Sequence, residues 1–109
     1  MKRVLALVAV LALAVPGFAE LRYTLVSATA TSQTKGINAV NVVIKNDDGT
    51  NEIYVRVFFG SEIPAAATTT NAAMIKAGES LTISSPQTIN AVSIVCDTAE
   101  TATVRLTYY

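Results

Sequence analysis

After residue 20 the chain alternates apolar and polar residues with a period of two, the pattern of β-strands whose successive side chains point to opposite faces of a sheet. In "INAVNVVIK", Val40, Val42 and Ile44 share one predicted face. We find no helical stripe in this part of the sequence. The pattern predicts an all-β fold, a single small antiparallel β-sandwich of about seven strands, in the segments YTLVSATATS, INAVNVVIK, EIYVRVFF, AAMIK, SLTIS, INAVSIVC and TATVRLTYY.

An eight-residue pattern occurs twice, first as "INAVNVVI" from Ile37 and again, 52 positions later, as "INAVSIVC" from Ile89. Each copy is followed by a polar turn and a second apolar arm, "IYVRVFF" or "ATVRLTYY". The repeat predicts two similar hairpins, with duplication and chance similarity both open as its origin. Cys96, the only cysteine, takes the place of Ile44 and is expected to be a small buried hydrophobic residue.

The first nineteen residues have the layout of a secretory signal peptide. Two basic residues precede an unbroken apolar run over residues 4–15, and small residues stand three and one positions before Glu20. A membrane anchor is the alternative, but twelve apolar residues form a helix of only about 18 Å, against about 30 Å for a bilayer core. We therefore expect residues 1–19 to be removed. Residues 20–109 should form one β-sandwich domain that is secreted, periplasmic or at the cell surface, and that does not span a membrane.

The composition of the mature domain bounds its partners and its stability. The leader holds two of the eight basic residues, so six basic and eight acidic residues remain. This balance offers no basic surface for nucleic acid. A domain this small buries only about 60–65% of the surface of its unfolded chain, and a single cysteine forms no internal disulfide. Added stability is therefore expected from self-association.

The residue types that carry most enzyme chemistry are scarce. The chain has no histidine and one cysteine, which excludes the usual catalytic triads and structural zinc sites. The acidic segment "NDDGTNE" supplies oxygen ligands from Asn46 to Glu52, but its spacing differs from the calcium-loop motif, and Asp-Gly is a turn signal. We predict a non-enzymatic protein with no catalytic residues, no cofactor and no metal.

Two kinds of segment are candidates for contact with a partner. Residues 60–71, GSEIPAAATTTN, form a binding loop, an edge strand or a flexible connection. Both ends of the mature chain are strand-like, and an edge strand can pair with another chain through its backbone. The side chains that mark these candidate assembly strands are Leu21, Tyr23, Leu25, Val104, Leu106 and Tyr108.

The segments "EIYVRVFFG", "MIKAGESLTI" and "INAVSIVCDTAETATVRLTYY" resemble the small β-sandwich proteins and domains of tailed-phage virions, over residues 52–109. In that family a strand of the form IYVR precedes an AGESL-type turn, and a closing hairpin ends in ATVRL. More distantly, the penultimate Tyr108 and the alternating amino-terminal strand are similar to those of secreted fimbrial subunits. The resemblance implies a structural role and carries no catalytic residues.

These observations predict an exported structural protein that associates with itself, as a homo-oligomer or filament, or with an envelope or virion surface through edge strands. The alternative is a small secreted binding module for carbohydrate or a cell-surface protein. Its aromatic contacts would come from Tyr23, Tyr54, Tyr108 and Tyr109. An enzyme is the third class, and the absence of histidine disfavours it.

Overall fold

The computed structural model describes residues 21–97 and 100–109, in which all regular secondary structure is β-strand. The all-β class predicted from the sequence is confirmed. The predicted signal peptide and the cut before Glu20 lie outside the described residues. The strands are β1 (Arg22–Ala28), β2 (Gln33–Asn46), β3 (Ile53–Phe59), β4 (Ala73–Ile75), β5 (Ser80–Cys96) and β6 (Ala102–Tyr108).

The strands form one antiparallel sheet in the order β1-β6-β2-β5-β3-β4, which curls into a half-barrel. β2 and β5 are the long strands, with 14 and 17 residues. The first part of β2 pairs with the last part of β5, and residues 41–45 of β2 pair with residues 80–84 of β5 after two register shifts. These irregularities in the two central strands let one sheet fold around one core.

The core lies on the inner face of the curled sheet and draws on all six strands. β-branched residues dominate it, as expected where side chains pack on a pleated surface. Complete burial of one such side chain contributes about 1.5–3 kcal/mol. The core residues are Val26, Ala28, Ile37, Val42, Ile44, Ile53, Val55, Ile75, Ile89, Val92, Ile94, Cys96, Ala102, Val104 and Leu106.

The described residues form six strands rather than the predicted seven, because the segments SLTIS and INAVSIVC belong to one strand, β5. Pro86 lies inside β5. A proline lacks a backbone donor, and the structure accommodates it where pairing with β2 is interrupted. Ser84 pairs with Asn41, and the next residue of β5 to pair with β2 is Ile89.

The predicted face of β2 is wrong at Val40. Register shifts on both sides of Ala39 disturb the alternation, so the buried positions change from Ala39 to Val42 and Ile44. This is the effect of a β-bulge, which places an extra residue in one strand. Val40 is left 43% exposed.

The two predicted hairpins are also wrong. β3 pairs with β5 rather than with β2, and β6 pairs with β2 rather than with β5. The sheet order therefore has an internal symmetry. If β1 and β4, β2 and β5, and β3 and β6 trade labels, the result is the same order read from the other end of the sheet. The described residues form two three-stranded units, an amino-terminal unit (β1–β3) and a carboxyl-terminal unit (β4–β6). The two INAV copies lie side by side where the units meet, with Gly36 opposite Ala91 and Ala39 opposite Ile89.

Candidate functional site

β1 lies at one edge of the sheet and pairs with β6 on one side only. The register runs from Arg22 opposite Tyr108 to Ala28 opposite Ala102. Among the described strands, no other strand pairs with the second backbone edge of β1. A further strand can add at such an edge by main-chain hydrogen bonds.

The outer face of β1 carries an apolar stripe. Leu21, Tyr23 and Leu25 are 65%, 59% and 52% exposed, whereas Val26 on the inner face is buried. Tyr109 is 42% exposed and directly follows Tyr108, which pairs with Arg22 of β1. We call Leu21, Tyr23, Leu25 and Tyr109 the β1 stripe. Sequence reasoning did not place Tyr109 among the assembly residues, although it points to the opposite face from Tyr108.

The other three predicted assembly residues lie on the inner face of β6. Val104 and Leu106 are completely buried, and Tyr108 packs against the core. β6 lies between β1 and β2, so both of its backbone edges are paired near these residues. The structure therefore separates the six candidates. Those of β1 lie on the outer face of an open edge strand, and those of β6 lie inside the sheet.

A cation–π contact and hydrogen bonds hold both ends of β1 in place. The Arg22 guanidinium lies 4.9 Å from the ring centre of Tyr108, and its Nη2 donates a hydrogen bond of 2.6 Å to the Asn38 carbonyl of β2. At the other end, the backbone N–H of Cys96 donates to the Thr29 carbonyl at 2.7 Å. A cation–π contact at an exposed site contributes about 0.5–1 kcal/mol. The β1 stripe is therefore held on an ordered strand.

Cys96 is a free thiol that is 2% exposed, which confirms the prediction of a buried small residue. Its Sγ lies 3.7 Å from the Ala28 carbonyl, at the end of β1. Burial is the main cause that raises the pKa of the thiol, and the negative charges of Glu100 and Asp48 raise it further. A thiol with a raised pKa and little exposure is a poor nucleophile.

The acidic turn between β2 and β3 uses its oxygen atoms within the protein. The side chain of Asn46 is completely buried, donates to the carbonyls of Asn51 and Ile75, and accepts from the N–H of Asp48. Asp48 accepts from the N–H groups of Thr50 and Asn51, which lowers its pKa. Asp47 forms an ion pair of 3.1 Å with Arg105 of β6, and Glu52 accepts from the Tyr54 hydroxyl.

Residues 60–72 connect the two units as a loop without strand structure. A depression of about 520 Å³ lies between the end of this loop and β3, lined by residues 55–57 and 70–73. Arg56 is its one ionisable lining residue, and the Arg56 guanidinium already donates to the Ala66 carbonyl at 3.2 Å. The lining therefore supplies no acid–base pair.

Comparison with protein-family models, with curated proteins and with solved structures found no match. Over residues 21–97 and 100–109, no group of three or more histidine, cysteine and acidic side chains is placed to hold a metal ion. The same residues contain no helix that is long and apolar enough to cross a membrane.

Proposed function

We propose that the protein is an exported, non-enzymatic structural protein that associates with itself, or with an envelope or virion surface, through β1. The observation that carries the proposal is the β1 stripe, which displays leucine and tyrosine side chains beside a backbone edge that no other described strand pairs with. Natural edge strands are commonly blunted by charge, proline or a covering loop. β1 carries only Arg22 as a charge, and that guanidinium is turned towards Tyr108 and Asn38.

Export is the second part of the proposal and rests on the leader. Cleavage before Glu20 would leave one residue ahead of Leu21, so the mature chain would begin at the start of the β1 stripe. The proposal also treats the curled sheet as a small β-sandwich, in which opposite sides of the sheet form the two layers around the core. The outer face of β1 would be the surface presented to a partner.

Leu25→Glu tests the contact without removing the strand. Leu25 pairs with Arg105 of β6, so a glutamate gains a cross-strand partner of opposite charge and β1 is expected to remain folded. Mature wild-type protein is expected to form higher-order species in size-exclusion chromatography and negative-stain microscopy. Leu25→Glu should lose the species that depend on the β1 contact in both measurements, while its circular dichroism remains that of a β-rich protein.

The matched control is Met74→Glu, because Met74 is an exposed apolar residue on β4, at the opposite edge of the sheet from the β1 stripe. It should leave association unchanged. Equal assembly of Leu25→Glu and wild type would place the contact elsewhere. Wild-type protein that stays monomeric at high concentration would favour the binding module, for which the exposed rings of Tyr23 and Tyr109 on one face are the supporting observation.

A further inference from the structure

Every pair of neighbouring strands in the sheet joins the amino-terminal unit to the carboxyl-terminal unit. The order β1-β6-β2-β5-β3-β4 alternates strictly between β1–β3 and β4–β6. All ladders of backbone hydrogen bonds between the described strands are therefore contacts between the units. Neither unit holds two of its own strands side by side, so each unit needs the other to form any sheet.

Residues 60–72 are the one covalent connection between the units. This segment has thirteen residues, and residues 60–66 are all exposed. Ala73 pairs with Val55, so the connection returns past only four residues of β3, a distance of about 14 Å. Thirteen extended residues can span about 43 Å. The connection is thus much longer than the closed chain requires.

We propose that two copies of this chain associate by exchanging their carboxyl-terminal units, with residues 60–66 as the hinge. The partner is a second copy because its β4–β6 unit can make the same strand pairs as the chain's own unit. This proposal rests on the proposed function, because it assumes that the protein associates with itself. It adds a contact that does not use the β1 stripe.

The exchange would reproduce the strand ladders of the closed chain within each lobe. The free-energy difference between closed and exchanged forms is then confined largely to the hinge and to protein concentration. Hinge contacts that favour the closed form include the hydrogen bonds from Asn90 Nδ2 to the carbonyls of Gly60 and Glu62. Reciprocal exchange would close a dimer, and exchange along a series of chains would extend a filament.

A complementation experiment tests the proposal with two full-length mature variants, Ile44→Pro and Leu106→Pro. Ile44 and Leu106 pair with each other across β2 and β6, and a proline inside either central strand opposes the ladder. Each variant alone is expected to stay unfolded. When both are refolded together, the intact amino-terminal unit of one chain and the intact carboxyl-terminal unit of the other can build one complete lobe. The expected product has the mass of a dimer and the circular dichroism of a β-sheet.

Ile44→Pro mixed with Val42→Pro is the matched control. Both changes lie in the amino-terminal unit, so no exchange produces an intact pair of units, and this mixture should stay unfolded. The proposal is overturned if the Ile44→Pro and Leu106→Pro mixture behaves like the control. Should one proline variant retain its fold, Ile44→Asp and Leu106→Asp repeat the same test. Adding Leu25→Glu to both chains should leave complementation intact, which separates failure of exchange from failure of the β1 contact.

Discussion

The outer face of the sheet is covered by a loop over β3 and the end of β5, and is exposed over β1 and β6. Over β3 and the last part of β5, the connecting loop packs on the sheet, where Ser93 is completely buried and Ala67 is 2% exposed. Ser93 Oγ donates to the Ala65 carbonyl at 2.6 Å. We call this the covered face. The outer face of β1, β6 and residues 41–46 of β2 is the open face, and it carries the β1 stripe.

The difference follows from the order of the units along the chain. The carboxyl-terminal unit is preceded by the connection over residues 60–72, which lies over the covered face. Among residues 21–97 and 100–109, only Leu21 precedes β1. The two edge strands, β1 and β4, occupy equivalent positions in the two units but differ in length. β4 has three residues and follows the loop, whereas β1 has seven. An apolar outer face that none of the described residues covers is the one suited to a partner.

Substituting each residue by its counterpart in the other INAV copy should give the largest difference between the two faces in the free energy of unfolding. Ser93 corresponds to Asn41, and Ser93 Oγ lies 2.7 Å from Thr34 Oγ1 under the loop. Ser93→Asn should lower the free energy of unfolding by about 1–3 kcal/mol, because the larger amide has to displace the loop. Asn41→Ser on the open face loses the amide oxygen that accepts from Ser84 Oγ at 2.7 Å, and should lower the free energy of unfolding by about 0.5–1 kcal/mol. Urea denaturation measures both, and similar losses at the two positions would contradict the distinction between the faces.

The sequence predicted the strands because their alternation is local. It predicted neither the crossovers nor the exposed strand, because a local pattern is the same whichever strand lies beside it. Leu21, Tyr23 and Leu25 alternate as Val104 and Leu106 do, yet the first set lies on an open edge and the second inside the sheet. Only the long-range pairing decides which set is exposed.

The apolar segment of β5 shows the same limit. Ile94 and Cys96 face the core, whereas Val95 and Ser93 are buried on the outer side. A strand covered on both sides is expected from an apolar run, but the sequence does not identify the cover. The structure supplies it at Ser93, whose Oγ donates to the Ala65 carbonyl of the connecting loop. The bulge that exposes Val40 is likewise a product of pairing between β2 and β5.

A smaller loss of stability is expected at Cys96, which stands in the second INAV copy where the first copy has Ile44. Ile44 and Cys96 are both buried, so the comparison concerns the space at each site rather than exposure. Cys96→Ala should lower the free energy of unfolding by about 1 kcal/mol by leaving a small cavity, and Cys96→Val should cost less. Thermal unfolding measures the losses. Rapid labelling of the folded wild-type thiol by a maleimide would show that Cys96 is accessible and would contradict the buried position.

The smallest effect concerns the turn that carries the amino-terminal unit from β2 to β3. Hydrogen bonds from the N–H groups of Asn51 and Thr50 stabilise the ionised Asp48 carboxylate and lower its pKa below the ordinary value of 3.8. A lowered folded-state pKa gives a stabilisation that is complete above the unfolded-state pKa and is lost as the pH falls through the folded-state value.

The melting temperature of wild type should therefore exceed that of Asp48→Ala at pH 7, and the difference should shrink as the pH falls below about 4. Asp48→Asn is the control, because its amide keeps an acceptor oxygen but does not titrate in this range. The difference in melting temperature between Asp48→Asn and Asp48→Ala should stay constant between pH 7 and pH 3. Calorimetric scans across that range measure both differences. A wild-type advantage that persists unchanged at the lowest pH would show that the ionised form of Asp48 does not anchor the turn.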